Sequence, residues 1–185
     1  MAIQYQQENQ LFSLNTKRTT YQMKVDTKGF LLHLYYGGKI SGNMAYLLTY
    51  YDRGFSGNPA DAGNDRTYSL DALPQEYPQA GAGDYRSSAL VIRNADGSEY
   101  CDLRYVSHRI RDGKYGLNGL PAVFAAEREA QTLEIILEDA VSHVQVSLLY
   151  GVLEAEDIIT RNDVIRNGGD TEFVIKKAAS ACLDF

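Results

Sequence analysis

The stretch SSALVIRNADGSEYCDLRYVSHRI, residues 87–110, decides how the rest of the chain is read. Two runs rich in β-branched and aromatic residues flank Asp96-Gly97. Asp-Gly is a strong hairpin signal, because a two-residue turn of the right twist needs positive φ and these residues tolerate it. The stretch therefore predicts two antiparallel strands, SSALVIRN and EYCDLRYVSHRI, joined at a tight turn. Alternation along the second puts Tyr100, Asp102, Arg104 and Val106 on one face. Cys101, Leu103, Tyr105 and Ser107 fall on the other.

Outward from there the same pattern repeats. LFSLNT (11–16), TTYQMKV (19–25) and FLLHLYYG (30–37) are short strand-like runs, the last two joined by a turn at Thr27, Lys28 and Gly29. QTLEIILED (131–139) alternates, with Leu133, Ile135 and Leu137 one way and Thr132, Glu134 and Glu138 the other. HVQVSLLYGVLE and DIITRNDVIRN follow, then TEFVIKKAASACLDF after Gly168-Gly169. Only VFAAEREAQ (123–131) has helix-forming composition, and its length allows no more than a helical turn. Repeated antiparallel hairpins with polar connections predict an all-β fold, an antiparallel β-sandwich. No internal repeat or low-complexity tract is visible.

Composition narrows the function classes. The 185 residues fit one domain with a real core. A net charge of −6 argues against nucleic acid and against anionic membrane surfaces, which both select basic patches. No apolar run approaches a spanning length, and the first residues lack the pattern of a signal peptide, so a cytoplasmic location is the default expectation. Cys101 and Cys182 are too few for a disulfide framework and read as reduced, buried thiols. The 14 tyrosines suit half-wet strands, with the ring packed and the hydroxyl at the surface, though an aromatic platform for sugar fits them too.

A search for chemistry returns little. His33, His108 and His143 stand alone, and neither cysteine has a CxxC neighbour, so no metal site is expected. GGKISG (37–42) and GAG (81–83) lack the remainder of a phosphate loop or dinucleotide fingerprint, and read as turn glycines. The exception is YYDRGFSGNPADAGNDRTYSLDALPQEYP, residues 50–78, which carries Pro59, Pro74 and Pro78 and has no apolar periodicity. Connections longer than about 12–15 residues are uncommon in compact domains unless functional or disordered. Tyr50, Tyr51, Phe55, Tyr68, Leu70, Leu73 and Tyr77 supply anchors, so an ordered excursion is expected. Its pairs Asp52-Arg53 and Asp65-Arg66 offer acceptors and a guanidinium fork that suit a polyhydroxylated ligand; they could equally satisfy the loop and one another.

These residues also carry a resemblance. DRGFSGNP (52–59) followed by NDRTYSLDALPQEYP (64–78) resembles the N-terminal domain of glycoside hydrolase family 36, the bacterial α-galactosidases. LYYGGKI, YPQAGAGDYRSSAL, DGSEYCDLRYVSHRI, LNGLPA, TLEIILEDA, ITRNDVIRNGG and SACLDF agree in order, over essentially the whole chain. Gly57 stands where the family usually has proline, and Ala60 to Gly63 lengthens the loop slightly.

The resemblance implies that residues 1–185 are an incomplete part of a galactose-mutarotase-like β-supersandwich, with the catalytic (β/α)8 barrel absent. The full protein would cleave terminal α-galactosides of the melibiose or raffinose type with retention, without cofactor or metal. This chain alone would hold no catalytic residue. Family members assemble as tetramers in which the N-terminal domain of one subunit reaches a neighbour's active site. Carried over, Asp52 and Arg66 are the substrate-binding candidates, and Arg53 and Asp65 the loop-supporting ones. Two rival classes stand beside this reading, a stand-alone carbohydrate-binding module and a purely structural or assembly module.

Overall fold

A computed structural model describes residues 2–52, 54, 58–126 and 128–182. Among the described residues, ten strands form three antiparallel sheets. The first runs β1 (Ile3–Gln6), β2 (Leu11–Asn15), β3 (Thr19–Val25) and β4 (Leu31–Gly38) in order. The second pairs β5 (Leu90–Asn94) with β10 (Phe173–Ala178). The third runs β6 (Leu103–Asp112), β7 (Gln131–Asp139), β8 (Val144–Leu153) and β9 (Ile158–Asn167). One core joins all three. Phe12, Leu14 and Met23 from the first sheet meet Leu90 and Ile92 from the second and Leu133, Ile135, Val146 and Leu148 from the third. The expected all-β antiparallel sandwich is thus the observed one. The strand β1 was hidden in a polar run, IQYQ, of which Ile3 enters the core.

The opening stretch behaves differently from its reading. The Asp96-Gly97 turn forms, with Gly97 at φ 86, Gly97 N donating to Asn94 O at 2.9 Å and Asn94 N donating to Ser98 O at 2.9 Å. The two strands then part. β5 pairs with β10 and β6 with β7, so the turn is a corner between sheets and no hairpin ladder follows it. The reason lies in residues 99–102: Cys101 N donates to Ala80 O at 3.2 Å, and Asp102 N to Asp139 Oδ2 at 3.1 Å. Backbone groups that would have continued the hairpin are satisfied elsewhere.

Alternation along β6 also breaks. Cys101, Leu103 and Tyr105 face inward as expected, but the register shifts between Tyr105 and Ser107. Val106 is the extra residue of this bulge, and Ser107 is exposed. Beyond it His108 and Ile110 take the inner face, His108 against Phe12 with ring centroids 4.9 Å apart. A bulge inserts one residue and inverts every later side chain, which a period-two reading cannot anticipate.

In β7, Leu133, Ile135 and Leu137 are core residues, as expected. Thr132, on the opposite face, is also buried, because residues 113–115 fold over it. Its hydroxyl donates to Gly113 O at 2.7 Å and accepts from Tyr115 N at 3.0 Å. The same cover needs Gly151 in β8. A Cβ there would lie 2.6 Å from Lys114 Cδ and 2.7 Å from Thr160 Oγ1. Gly151→Ala should therefore lower stability by about 1–2 kcal/mol, read as a fall in Tm; an unchanged Tm would show that Lys114 moves aside without cost.

The turn between β3 and β4 forms as expected, with Gly29 at φ 84. Among the described residues of 123–130 a hydrogen-bonded turn forms, Glu129 N donating to Ala126 O at 3.0 Å and the Glu129 carboxylate accepting from Ala126 N at 2.8 Å. Both thiols are free. Cys101 is buried, whereas Cys182 is half-buried, in contrast to the burial expected for it.

Candidate functional site

Between β4 and β5 the chain makes a long excursion, residues 39–89, whose base is packed and whose tip is open. The base has its own small core. Tyr68, Leu70, Leu73, Ala62 and Ala82 close over Phe30 and Leu32 at the start of β4. Of the expected anchors, Tyr68, Leu70, Leu73 and Tyr77 are buried. Tyr50 and Tyr51 are exposed instead, and Phe55 lies outside the described residues. Tyr50 lies at the edge of the small core, its ring centroid 6.3 Å from that of Tyr68.

Buried carboxylates fix the base. Asp26 Oδ1 accepts from Lys28 N at 2.9 Å and Phe30 N at 2.8 Å, and its Oδ2 accepts from the Tyr68 hydroxyl. Burial and the Asp26 carboxylate together push the Tyr68 hydroxyl well above the usual phenol range. Asp84 accepts from Arg86 N and Nε at Oδ1, both at 2.9 Å, and from Arg86 NH2 and Gln75 Nε2 at Oδ2, both at 2.8 Å. Arg86 NH2 also reaches Leu70 O and Leu73 O at 2.8 and 2.6 Å.

Glu76 joins the excursion to both large sheets. It is fully buried and accepts at 2.7 Å from the hydroxyls of Tyr21 in β3 and Tyr150 in β8, and from Arg161 NH1 in β9. Arg161 NH2 donates to Glu76 O at 2.8 Å, and His33 Nδ1 lies 3.3 Å from Oε2 without hydrogen-bond alignment. Burial pushes the Glu76 carboxyl up, but the Arg161 charge and the neighbouring donors outweigh it and hold it below its ordinary value. No sequence pattern pointed to this residue. The signal that was available is the QEYP context itself, an acidic residue between Pro74 and the buried Tyr77.

The tip brings Asp52 and Arg66 together. Arg66 NH2 donates to Asp52 Oδ1 at 3.2 Å and to Gly54 O at 3.3 Å. Asp52 Oδ1 also accepts from Gly54 N at 2.6 Å, an Asx turn that sets the direction of the chain. The side chains are 49% and 66% exposed, so this ion pair adds only about 0–1 kcal/mol to the fold. Among the described residues Asp52 Oδ2 has no hydrogen-bond partner, and neither do Arg66 Nε and NH1. Asp65 closes a second Asx turn, its Oδ1 accepting from Thr67 N at 2.9 Å and from the Thr67 hydroxyl at 2.6 Å, while Asn58 Nδ2 donates to Asp65 O at 2.9 Å. The Thr67 hydrogen bonds hold the Asp65 carboxyl below its ordinary value. Arg53 lies outside the described residues, as does Gly57.

The arrangement offers a carboxylate oxygen and part of a guanidinium fork at one exposed point, a combination that receives and donates to adjacent hydroxyls. The excursion's carboxylates with shifted affinities, Asp61, Asp65 and Glu76, all hold their protons less tightly than usual. That favours accepting hydrogen bonds over delivering a proton near neutrality. Among the described residues no group of three or more His, Cys, Asp or Glu could hold a metal ion.

Comparison with known proteins identifies the family and the fold. The family model described as glycosyl hydrolase family 36 N-terminal domain matches residues 29–185. The bifunctional alpha-galactosidase/sucrose kinase AgaSK of Mediterraneibacter gnavus is 61% identical over 185 residues, which is all of this chain and 20% of that protein. Alpha-galactosidase Mel36A of Lactobacillus acidophilus is 40% identical over 99% of this chain and 25% of its own. The solved galactosidase domain of AgaSK superposes with a TM-score of 0.97 over the whole chain and 26% of that structure. The alpha-galactosidase AgaA of Geobacillus stearothermophilus, solved in complex with raffinose, superposes at 0.90 with 40% identity, over 95% of this chain and 24% of that one. The chain thus spans a fifth to a quarter of the length of these relatives. With a family model covering most of its residues and relatives aligned almost end to end with it, the chain belongs to glycosyl hydrolase family 36, as an N-terminal domain of that family.

Proposed function

We propose that this chain is the non-catalytic N-terminal part of a retaining α-galactosidase, and that its excursion lends Asp52 and Arg66 to a substrate pocket completed by a neighbouring subunit. The remaining supersandwich and a catalytic barrel belong to the same protein, which acts in the cytoplasm as a homo-oligomer on terminal α-galactosides. What carries the reading is the meeting of Asp52 and Arg66 at an exposed tip, where their pairing contributes little to folding. A carboxylate on two sugar hydroxyls and an Arg beside it orient the ring over a nucleophile held elsewhere, and orientation of this kind lowers the barrier without touching the reacting atoms. Asp65, occupied by Thr67, serves the loop. Arg53 is assigned the same supporting role from its place in the sequence.

The test is Asp52→Ala in the full-length enzyme assayed on melibiose or raffinose. The expected loss in kcat/KM is about 100-fold, with the assembly state unchanged by light scattering. Wild-type kinetics in that variant would remove Asp52 from the pocket and leave an assembly role for the loop.

A further inference from the structure

We infer that a cleft beside the base of the excursion is a carbohydrate-binding site built by this chain alone, taking a neutral pyranoside against Tyr85 and Tyr100 with Asp102 as its hydroxyl acceptor. The cleft measures about 360 Å³ and is bordered by the glycine turn at 81–83, by Asp84 and Tyr85, and by Tyr100 and Asp102. That volume falls at the lower end of small-ligand sites, enough for one or two sugar rings.

Its shape comes from the backbone. Gly81 and Gly83 have φ of 93 and 92, a conformation closed to most residues. A Cβ at Gly81 would lie 2.9 Å from Tyr100 Cα and 3.0 Å from Tyr100 Cδ2, so the glycine lets Tyr100 seat directly on the turn. Asn94 Nδ2 donates to Tyr100 O at 2.9 Å, and Cys101 N to Ala80 O at 3.2 Å, which fixes the segment on both sides. Tyr100 remains 45% exposed and Tyr85 81% exposed. Two exposed aromatic side chains on one concave surface give an amphipathic wall for the apolar face of a sugar.

Charge selects the class of ligand. Both carboxylates at the cleft are paired, Asp84 with Arg86 at 2.8 Å and Asp102 with Arg104 at 2.7 Å, and Arg104 also reaches Asp61 at 3.2 Å. Among the described residues no cation lines the cleft to draw an anion, and each lining carboxylate has an arginine partner. Asp84 is nearly saturated by the four hydrogen bonds from Arg86 and Gln75. Asp102 accepts one from Arg104 at each oxygen, which leaves lone pairs on both for hydroxyl donors. A neutral, hydroxyl-rich ligand with an apolar face meets all these conditions.

Calorimetry and NMR titration of the 185-residue chain with melibiose and raffinose test the inference. The expected Kd is on the order of 1–10 mM, weakened about tenfold by Tyr85→Ala and by Tyr100→Ala. Tyr85 is exposed enough for its variant to keep the fold, which a thermal melt verifies. Asp52→Ala leaves this affinity unchanged, so the result is independent of the fate of the tip. No saturable binding up to about 100 mM would overturn the inference. So would binding that survives both tyrosine variants, or binding lost in Asp52→Ala.

Discussion

Glu76→Ala is expected to destabilise the chain by about 3–5 kcal/mol, a large share of the total stability of an ordinary domain. The carboxylate is fully buried and serves Arg161, Tyr21 and Tyr150 at once. Removing it leaves a guanidinium with a 12% exposed side chain facing two phenols that can no longer donate to a charge. The cost is that of an orphaned buried cation, which greatly exceeds the net contribution of the intact pair. Thermal denaturation of Glu76→Ala checks this. Combining it with Arg161→Met should recover part of the loss; if the double variant is as unstable as the sum of the singles, the two residues do not act as a pair. Acid provides a second view. Glu76 holds its proton less tightly folded than unfolded. On acidification the unfolded chain therefore binds the proton first. The stabilisation is complete above the unfolded carboxyl value of about 4.3 and is lost as pH falls through the lower folded value. A Tm that stays flat as pH falls from about 4 to about 2 would contradict this.

Asp26→Ala should cost about 3–4 kcal/mol, since one buried carboxylate is the acceptor for Lys28 N, Phe30 N and the Tyr68 hydroxyl. The effect has two parts. The β3–β4 turn loses the side chain that organises it, and the small core loses its tie through Tyr68. Tyr68→Phe isolates the second part at about 1 kcal/mol. Asp26→Asn, which keeps an acceptor at Oδ1, should fall between. If Asp26→Ala and Tyr68→Phe lower Tm equally, the turn contributes nothing and the assignment to Lys28 and Phe30 fails.

Much of the sandwich was legible because its strands obey simple periodicity. Leu133, Ile135 and Leu137 alternate in the sequence and line the core in the structure. What escaped notice depended on long-range contacts. The bulge at Val106 inverts β6, and nothing local announces an extra residue. The corner at Asp96-Gly97 has a hairpin's turn chemistry, but Asp139 and Ala80 claim the backbone that would have extended it. The tyrosines misled for a related reason. Tyr21, Tyr68, Tyr77 and Tyr150 were expected to leave their hydroxyls wet, yet each donates to a carboxylate, Tyr77 to Asp163 at 2.7 Å. Tyrosine and acid partners far apart in sequence cannot be matched by eye. The tip was legible as a polar excursion with anchors whose Asp-Arg pairs could satisfy one another, and the Asp52–Arg66 contact is such a pairing.

The Glu76 junction also governs how the molecule breathes. Residues 68–79 are tied to three strands through buried charge, so their amides can exchange with solvent only when the sandwich itself opens. Residues 60–62 are held nearer the surface, Asp61 by Arg104 at 3.2 Å and by Lys28 at 2.7 Å, and Ala62 in the small core. A deuterium-exchange map would show residues 68–79 protected as strongly as the strands they are tied to.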